Sequence, residues 1–337
     1  MTPTLTFLSS LLLSALGTLL AIRLGQRFYL VDTPGGRRKH DGPVPRIGGL
    51  GIFAGFLGVA LWLYLFAPLK SEHYLPIAGV LIGTAFVFLF GLADDKYEFK
   101  AWPQFMAQVF AAVIAIVTTV WIQEVTLPII GFRHFPWFIT YPLTILWVTG
   151  MMNTVNFLDG LDGLATGVAA IAALLFGVHM NNLGQPAIAL YAVAFAGACL
   201  GFLPFNFSPA RIFLGSAGAM VVGYGLATLS ILAPARVATA LLVMAVPIAD
   251  TAWQIVIRWR EGRSPFTGDR GHLHFRLVDM GVSPRWIVLG YWAFCAVFGA
   301  LSLLTESRLS KLIAFLGMMI IVGGVLIMLA RKKSVHG

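Results

Sequence analysis

The chain has 337 residues, of which 58% are hydrophobic and only 11% are charged. This composition excludes a water-soluble globular protein and indicates an integral membrane protein, because so few polar residues cannot cover a surface exposed to water. The net charge of +9 comes from 23 Lys and Arg residues that lie between apolar runs rather than on one basic face. We therefore expect no nucleic-acid partner and expect a lipid bilayer instead.

Eleven apolar runs are long enough to cross a bilayer, because a helical span needs about 20 apolar residues at a rise of 1.5 Å each. In chain order they cover residues 5–22, 47–67, 75–93, 103–122, 138–155, 164–180, 187–204, 217–233, 237–257, 286–304 and 310–330. The sequence shows no internal repeat and no appended soluble region. We predict an all-α, polytopic transmembrane bundle of about eleven helices, with residues 1–337 forming one membrane domain.

The positive residues predict how the bundle is oriented. No Lys or Arg precedes the first apolar run, whereas Arg23 and Arg27 follow it, which is the reverse of a cleavable signal peptide. With the N-terminus outside, eighteen Lys and Arg residues fall inside and five outside, as the positive-inside rule requires. The C-terminus is then cytoplasmic, together with the segments 23–46, 94–102, 156–163, 205–216 and 258–285.

Two adjacent carboxylates, Asp94 and Asp95, end the third apolar run in the sequence GLADDKYEFK. Their mutual repulsion and the negative end of the helix dipole both disfavour ionisation of the pair. A bound cation would relieve that cost. The alternative is a solvated helix end that Lys96 and Lys100 neutralise, and the sequence leaves both interpretations open.

The most specific signal is MMNTVNFLDGLDGLATG, in which Asn153, Asn156, Asp159 and Asp162 recur every three residues beside two glycines. Spacing of three places neighbours on one side of a helical turn. Amide and carboxylate oxygens suit Mg²⁺ or Mn²⁺, and Mg²⁺ usually completes its shell with substrate phosphate oxygens. Polar contacts between helices would explain one or two of these residues, but hardly four within ten positions.

Two more inner segments have features that suit phosphate groups. Segment 258–285 contains several arginines around His272 and His274, which could donate to phosphate oxygens. The positive-inside rule alone would also place arginines there. Segment 205–216 contains Arg211 and leads through Gly-Ser-Ala-Gly into a helix N-terminus, which favours anions. Asp250 lies inside the ninth apolar run and requires a partner that the sequence does not identify.

With these motifs, the sequence resembles the polyprenyl-phosphate N-acetylhexosamine-1-phosphate transferases, glycosyltransferase family 4, and within it the bacterial undecaprenyl-phosphate GlcNAc branch. The matching stretches are DTPGGRRKHDGPVPRIGG, GLADDKYEFK, NTVNFLDGLDGLATG, FNFSPARIFLG and RSPFTGDRGHLHFRL. The resemblance implies transfer of a sugar 1-phosphate, most often GlcNAc-1-phosphate, from a UDP-N-acetylhexosamine to undecaprenyl phosphate. UMP would be released at the cytoplasmic face of the bacterial inner membrane, starting a lipid-linked glycan for lipopolysaccharide or cell wall.

The resemblance also implies roles for individual residues. Asp94, Asp95, Asp159 and Asp162 would be catalytic, and Mg²⁺, with Mn²⁺ as a substitute, would lie at Asn153, Asp95 and Ser216. The implied substrate-binding residues are Arg46, Lys96, Asn156, Arg211, Arg270, His272, His274 and Arg276.

The sequence departs from the family pattern at two positions. Ser216 stands where the family usually has an aspartate, and Phe275 stands where it often has a histidine. One alternative is therefore an impaired family member that binds lipid phosphate or nucleotide without turnover. A transporter is a further alternative, although its carboxylates would be expected near the midplane rather than at one face. The sequence leaves open whether the protein forms a homo-oligomer.

Overall fold

The computed structural model describes residues 1–32, 42–127, 131–232, 237–263, 271–305, 313, 316–321 and 323–324. The twelve helices described with bounds are α1 (Pro3–Arg27), α2 (Gly49–Phe66), α3 (Ser71–Tyr97), α4 (Ala101–Val117), α5 (Trp137–Leu158), α6 (Leu164–Asn182), α7 (Pro186–Asn206), α8 (Gly215–Leu232), α9 (Val237–Val243), α10 (Ala245–Arg260), α11 (Leu273–Asp279) and α12 (Pro284–Leu304). Two pairs of short antiparallel strands lie between helices. Between α1 and α2, β1 (Val31–Asp32) pairs with β2 (Val44–Pro45); between α4 and α5, β3 (Glu124–Leu127) pairs with β4 (Gly131–His134).

Within the described ranges, seven helices are long and apolar enough to cross a membrane, namely α1, α2, α3, α6, α7, α8 and α12. Helix α4 is apolar but has only 17 residues. Helix α5 has 22 residues but contains several Thr residues and two Asn residues, which make it less hydrophobic. The prediction of an all-α polytopic membrane protein is confirmed, whereas the count of eleven spans and their orientation stay predictions.

The ninth predicted span is not one continuous helix. Residues 237–257 form α9 and the first part of α10, and the two helices meet at Met244. Pro247 lies in the first turn of α10, where its missing N–H costs no helical hydrogen bond. The hydrophobic run therefore marks the whole segment correctly but not the break inside it. Most of the eleventh run, 310–330, lies outside the described residues.

Helix α1 is bound to α7 by hydroxyl groups. Ser10 Oγ donates to the backbone oxygen of Ala194, and Ser14 Oγ donates to that of Ala198, each over 2.6 Å. Close approach of the two helices requires Gly201, because a Cβ there would lie 2.2 Å from a backbone oxygen of α1. Small residues and interhelical hydrogen bonds are the usual means of packing helices within a bilayer.

Helix α8 lies at the centre of the bundle and is the most extensively buried of the seven spans. It packs against α3, α5 and α2. The Tyr224 hydroxyl donates to the backbone oxygen of Gly79 on α3 over 3.0 Å. This packing holds the N-terminus of α8 next to the C-terminal end of α3.

Candidate active site

The segments that carry the sequence motifs meet at one end of the bundle, as far as they are described. Backbone hydrogen bonds join the start of α2 to the segment before α8, with Gly48 N donating to Phe213 O over 3.0 Å and Gly49 N to Leu214 O over 2.9 Å. Residues 33–41, within the first motif, lie outside the described residues. The C-terminal ends of α3, α5 and α7 face the same junction through the contacts described below.

Asp95 caps the N-terminus of α8. Its Oδ1 accepts a hydrogen bond from Ser216 N over 2.7 Å, and its Oδ2 accepts one from Ala217 N over 3.1 Å. Arg46 Nε lies 3.7 Å from Oδ1. Gly215 has φ +72, and a Cβ there would lie 1.9 Å from Arg46 O and about 3 Å from the Asp95 carboxylate. The close approach of Asp95 to α8 therefore depends on glycine at position 215.

Asp94 points to different partners from Asp95. Its Oδ1 accepts hydrogen bonds from Phe99 N over 3.0 Å and from Gln104 Nε2 over 2.9 Å. Both carboxylates are buried, whereas Lys96 is exposed. The alternative of a solvated helix end neutralised by lysines is therefore wrong, and backbone and amide donors stabilise the pair instead.

Asn153, in the last two turns of α5, is oriented by α4. Its Nδ2 donates to Gln108 Oε1 over 2.6 Å and to Thr149 O over 2.8 Å. Both amide hydrogens are thus used, which leaves Oδ1 as the group that can face a ligand. Gln104 and Gln108 lie one helical turn apart and each holds a predicted site residue. Sequence reasoning missed them, although a polar pair spaced by four within an apolar run was a signal.

Asp159 ends α5, and Asp162 follows it in the same turn. Asp162 Oδ2 accepts a hydrogen bond from Ala210 N over 3.0 Å, whereas no described residue donates to the Asp159 carboxylate. Burial raises the pKa of Asp159 well above its usual value, and the charges of Asp162 and Asp95 raise this pKa further. A cation near Asp159 would favour the ionised form of its carboxylate.

The turn that carries Asp162 is fixed by Asn206, at the end of α7. Asn206 Oδ1 accepts hydrogen bonds from Gly163 N over 3.1 Å and from the Thr166 hydroxyl over 3.2 Å, while Nδ2 donates to Ile212 O over 3.1 Å. Gly163 has φ +80, a conformation that favours glycine. Asn206 therefore links residues 159–163, the aspartate turn, to the segment before α8.

Residues 271–275, the histidine segment, pack against the aspartate turn. His272 and His274 are both buried, and a Cβ at Gly160 would lie 2.3 Å from His274 Nε2. The structure also identifies the partner of Asp250, whose Oδ2 lies 2.9 Å from His272 Nδ1. The contact joins α10 to the start of α11.

The other predicted substrate-binding residues lie around this cluster. Lys96, Asn156 and Arg211 are exposed, and the Arg211 guanidinium lies 5.7 Å from the centre of the Phe205 ring. Arg46 Nη1 lies 2.6 Å from Glu98 Oε1. Arg276 Nε donates to Gly271 O over 2.6 Å. Arg270 lies outside the described residues.

An apolar groove between α5 and α10 reaches Asn153 and Phe157. It has a volume of about 530 Å³, and its lining includes Leu143, Leu146, Ile248 and Ile255 along its length and Asn153 near the end of α5. Such a groove suits a long apolar chain rather than a polar ligand. An apolar ligand lying in it would bring its head group toward the carboxylates.

The donor set fits Mg²⁺. Asp95 offers carboxylate oxygens that each accept one backbone hydrogen bond, and Asn153 offers Oδ1. Among the described residues, no group of three His, Cys, Asp or Glu side chains forms a metal site from protein ligands alone. Mg²⁺ is usually bound by one or two carboxylates together with substrate phosphates.

Comparison with known proteins places the chain in a family. Residues 77–234 match the family described as glycosyl transferase family 4. The chain is 30% identical to a Bacillus subtilis (strain 168) protein, over 94% of this chain and 88% of the relative. That relative is named a probable undecaprenyl-phosphate N-acetylglucosaminyl 1-phosphate transferase.

Two further relatives carry related names. A decaprenyl-phosphate N-acetylglucosaminephosphotransferase of Mycobacterium tuberculosis (strain ATCC 25618 / H37Rv) is 35% identical, over 90% of this chain and 82% of the relative. An undecaprenyl-phosphate alpha-N-acetylglucosaminyl 1-phosphate transferase of Escherichia coli (strain K12) is 27% identical, over 89% and 83%. The chain is thus an enzyme that belongs to glycosyl transferase family 4, the polyprenyl-phosphate N-acetylhexosamine-1-phosphate transferases.

Proposed function

We propose that the protein transfers N-acetylglucosamine 1-phosphate from UDP-N-acetylglucosamine to undecaprenyl phosphate and releases UMP. The observation that carries this proposal is the apolar groove between α5 and α10, whose lining includes Asn153 and also Phe157, two residues before Asp159. A lipid acceptor needs an apolar channel, and a phosphoryl transfer needs a charged site at its end. The names of the relatives support both the sugar and the class of acceptor.

The reaction joins two anions, so the site must neutralise charge and align the reacting atoms. An oxygen of the acceptor phosphate attacks the β-phosphorus of the UDP-sugar, and the bond from that phosphorus to the UMP oxygen breaks. Mg²⁺, when bound through Asp95 and Asn153 Oδ1, would supply positive charge for the phosphate oxygens. Ser216 offers only a neutral hydroxyl there, so we infer that substrate phosphates complete the cation's shell.

The aspartates differ in their surroundings, which supports different roles. Asp94 is held by a donor from α4, and we assign it to fixing the acceptor phosphate; Asp95 is held by donors from α8, and we assign it to fixing the cation. Asp159 has a raised pKa and no described donor. We assign it as the base that takes a proton from the acceptor phosphate, because burial favours its protonated form and no described residue donates a hydrogen bond to its carboxylate. Asp162, fixed by Ala210 N, would lie on the nucleotide side.

The active site would face the cytoplasm of a bacterial cell. The segments that carry the motifs also carry most of the Lys and Arg residues, which the positive-inside rule places in the cytoplasm. The UDP-sugar would therefore reach the site from the cytoplasm. The lipid-linked product would start an envelope glycan such as lipopolysaccharide or a wall polymer.

The test is release of UMP by the purified protein from UDP-N-acetylglucosamine and undecaprenyl phosphate, with and without Mg²⁺ or Mn²⁺. We expect UMP release that requires both the lipid and the metal, and that Asp159→Asn abolishes. Binding of UDP-sugars without UMP release from any of them would refute the proposal. It would favour the alternative of an impaired family member that binds without turnover.

A further inference from the structure

Asp250 is a buried carboxylate that the proposed reaction does not use. It lies on α10 and is 4% exposed. Both of its oxygens are engaged: Oδ2 lies 2.9 Å from His272 Nδ1, and Oδ1 accepts a hydrogen bond from Leu273 N over 2.9 Å. Asp250 therefore holds His272 and Leu273 of the histidine segment in place.

Arg258, two turns further along α10, contacts the other side of the same imidazole. Its Nη2 lies 3.3 Å from His272 Nε2, and its side chain is fully buried. A guanidinium can only donate hydrogen bonds, and an ionised carboxylate can only accept them. A neutral His272 with its hydrogen on Nδ1 and its lone pair on Nε2 satisfies both contacts. Neither nitrogen is left to donate to a phosphate.

Phe157 connects this arrangement to the aspartate turn. The His272 ring stacks on the Phe157 ring with centroids 5.1 Å apart, and the Arg258 guanidinium lies 5.4 Å from the same ring. Phe157 is two residues before Asp159 at the end of α5. A change in the orientation of His272 would thus reach the turn that carries the Asp159 carboxylate.

We propose that Asp250 is a positioning residue for the transferase reaction, which holds His272 as the neutral Nδ1–H tautomer between Asp250 and Arg258. His272, so held, supports the Asp159 turn through Phe157 and does not bind the diphosphate. This differs from the role that the family resemblance implies for His272. The inference rests on the proposed function, but the tautomer of His272 can be measured without turnover.

The first variant is Asp250→Asn, which keeps the size of the side chain. An amide has one accepting oxygen and one donating nitrogen, so it cannot accept from both Leu273 N and His272 Nδ1. We expect kcat for UMP release to fall by about tenfold to a hundredfold, the range for residues that orient others in an active site. The KM for UDP-N-acetylglucosamine should change little, because both oxygens of Asp250 are engaged by His272 and Leu273.

The spectroscopic measurement is ¹⁵N NMR of histidine-labelled protein in lipid, with the His272 signals assigned by their loss in His272→Gln. The wild-type protein should show a neutral His272 with a protonated Nδ1, and the Nδ1–H signal should shift in Asp250→Asn, because the amide cannot accept from both His272 and Leu273. Bound UDP should give no ¹⁵N–³¹P coupling to His272. A His272 that is cationic or protonated on Nε2 in the wild-type protein, or that couples to UDP phosphorus, would overturn the proposal.

The matched control is Gln254→Leu, one turn after Asp250 on α10. Gln254 Nε2 donates to Gly271 O over 2.6 Å, so it anchors the same segment without touching His272. If Asp250 were only an anchor, the two variants would lower thermal stability and kcat alike, and the His272 signals would stay unchanged in both. We expect the His272 signals to change in Asp250→Asn alone.

Failure of the proposed function would look different. A wild-type protein that releases no UMP from any UDP-sugar would refute the transferase proposal, and the NMR measurements would then decide the inference. The Nδ1–H tautomer, with an Nδ1–H signal that shifts in Asp250→Asn, would still support the arrangement of Asp250, His272 and Arg258. An unchanged Nδ1–H signal in Asp250→Asn would refute it.

Discussion

The carboxylate of Asp95 binds the backbone N–H of Ser216, 121 residues away in the chain, over 2.7 Å. One consequence is that the first turn of α8 already has an anionic cap from α3. A carboxylate at position 216 itself would place a further negative charge beside Asp95, and Asp95 already lies within electrostatic range of Asp159.

We therefore predict that Ser216→Asp makes the protein less stable without metal and increases its affinity for Mg²⁺. Like charges close together repel, and a divalent cation relieves that repulsion. The Mg²⁺ concentration for half-maximal UMP release should fall by about tenfold, within the range for changes around metal sites. The neutral variant Ser216→Asn serves as the control for size. An unchanged Mg²⁺ requirement in Ser216→Asp would show that position 216 does not face the cation.

The raised pKa of Asp159 predicts a pH-dependent cost to stability. Its pKa is higher in the folded than in the unfolded protein, so ionisation costs folded-state free energy. That cost is absent below the unfolded pKa of about 3.9 and grows as the pH rises toward the folded pKa. Without metal, Asp159→Asn should thus unfold at a higher temperature than the wild-type protein at neutral pH.

Thermal unfolding in detergent at pH 4 and pH 7 would check this prediction. The advantage of Asp159→Asn should vanish toward pH 4, and UMP release should fall by at least about a hundredfold, the lower range for loss of a general base. The prediction would be contradicted if Asp159→Asn and the wild-type protein unfolded at equal temperatures at both pH values.

Gln108 should control the Mg²⁺ requirement through Asn153. Gln108→Leu removes the acceptor for Asn153 Nδ2, and an unsatisfied buried donor costs about 1–3 kcal/mol. The Asn153 amide should then turn away, and the Mg²⁺ concentration for half-maximal activity should rise. Gln104→Leu, one turn earlier on α4, is the matched control because Gln104 contacts Asp94 instead. Equal Mg²⁺ curves for the two variants would contradict the distinction.

Gly150 offers a direct test of the groove. It lies in the lining, and a Cβ there would meet no atom within 4 Å. Gly150→Ala should be tolerated and should stabilise α5 by roughly 0.5–1 kcal/mol, because glycine is unfavourable within a helix. Gly150→Trp should raise the KM for undecaprenyl phosphate and leave the KM for UDP-N-acetylglucosamine unchanged. A rise in both KM values would argue against a groove that binds only the lipid.

Much of the fold could be predicted from sequence because apolar length alone marks a span. The break between α9 and α10 could not, since Pro247 sits in an apolar run that stays apolar on both sides. The span-like length of α5 likewise does not show that its polar residues line a groove and a site.

The candidate site was predictable where charge is unusual in an apolar chain, as at Asp94 and Asp159. Its supports were not, because they depend on contacts between distant segments. The partner of Asp250 lies 22 residues away, and Gln108 reaches Asn153 across 45 residues. Membership in a motif also does not show which way a side chain points, as the exposed Lys96 illustrates.

The bonds from Ser10 and Ser14 to α7 have a consequence for biogenesis, because each joins residues 184 positions apart. Helix α1 is synthesised before α7, which emerges only after five further predicted spans. In the interval its hydroxyls can bond to their own helix, as the Thr18 hydroxyl does to Ser14 O over 2.7 Å. Helix α1 can thus pack against α2 soon after both are made, whereas its hydroxyl groups exchange their bonds within α1 for bonds to α7 only when that helix has entered the membrane.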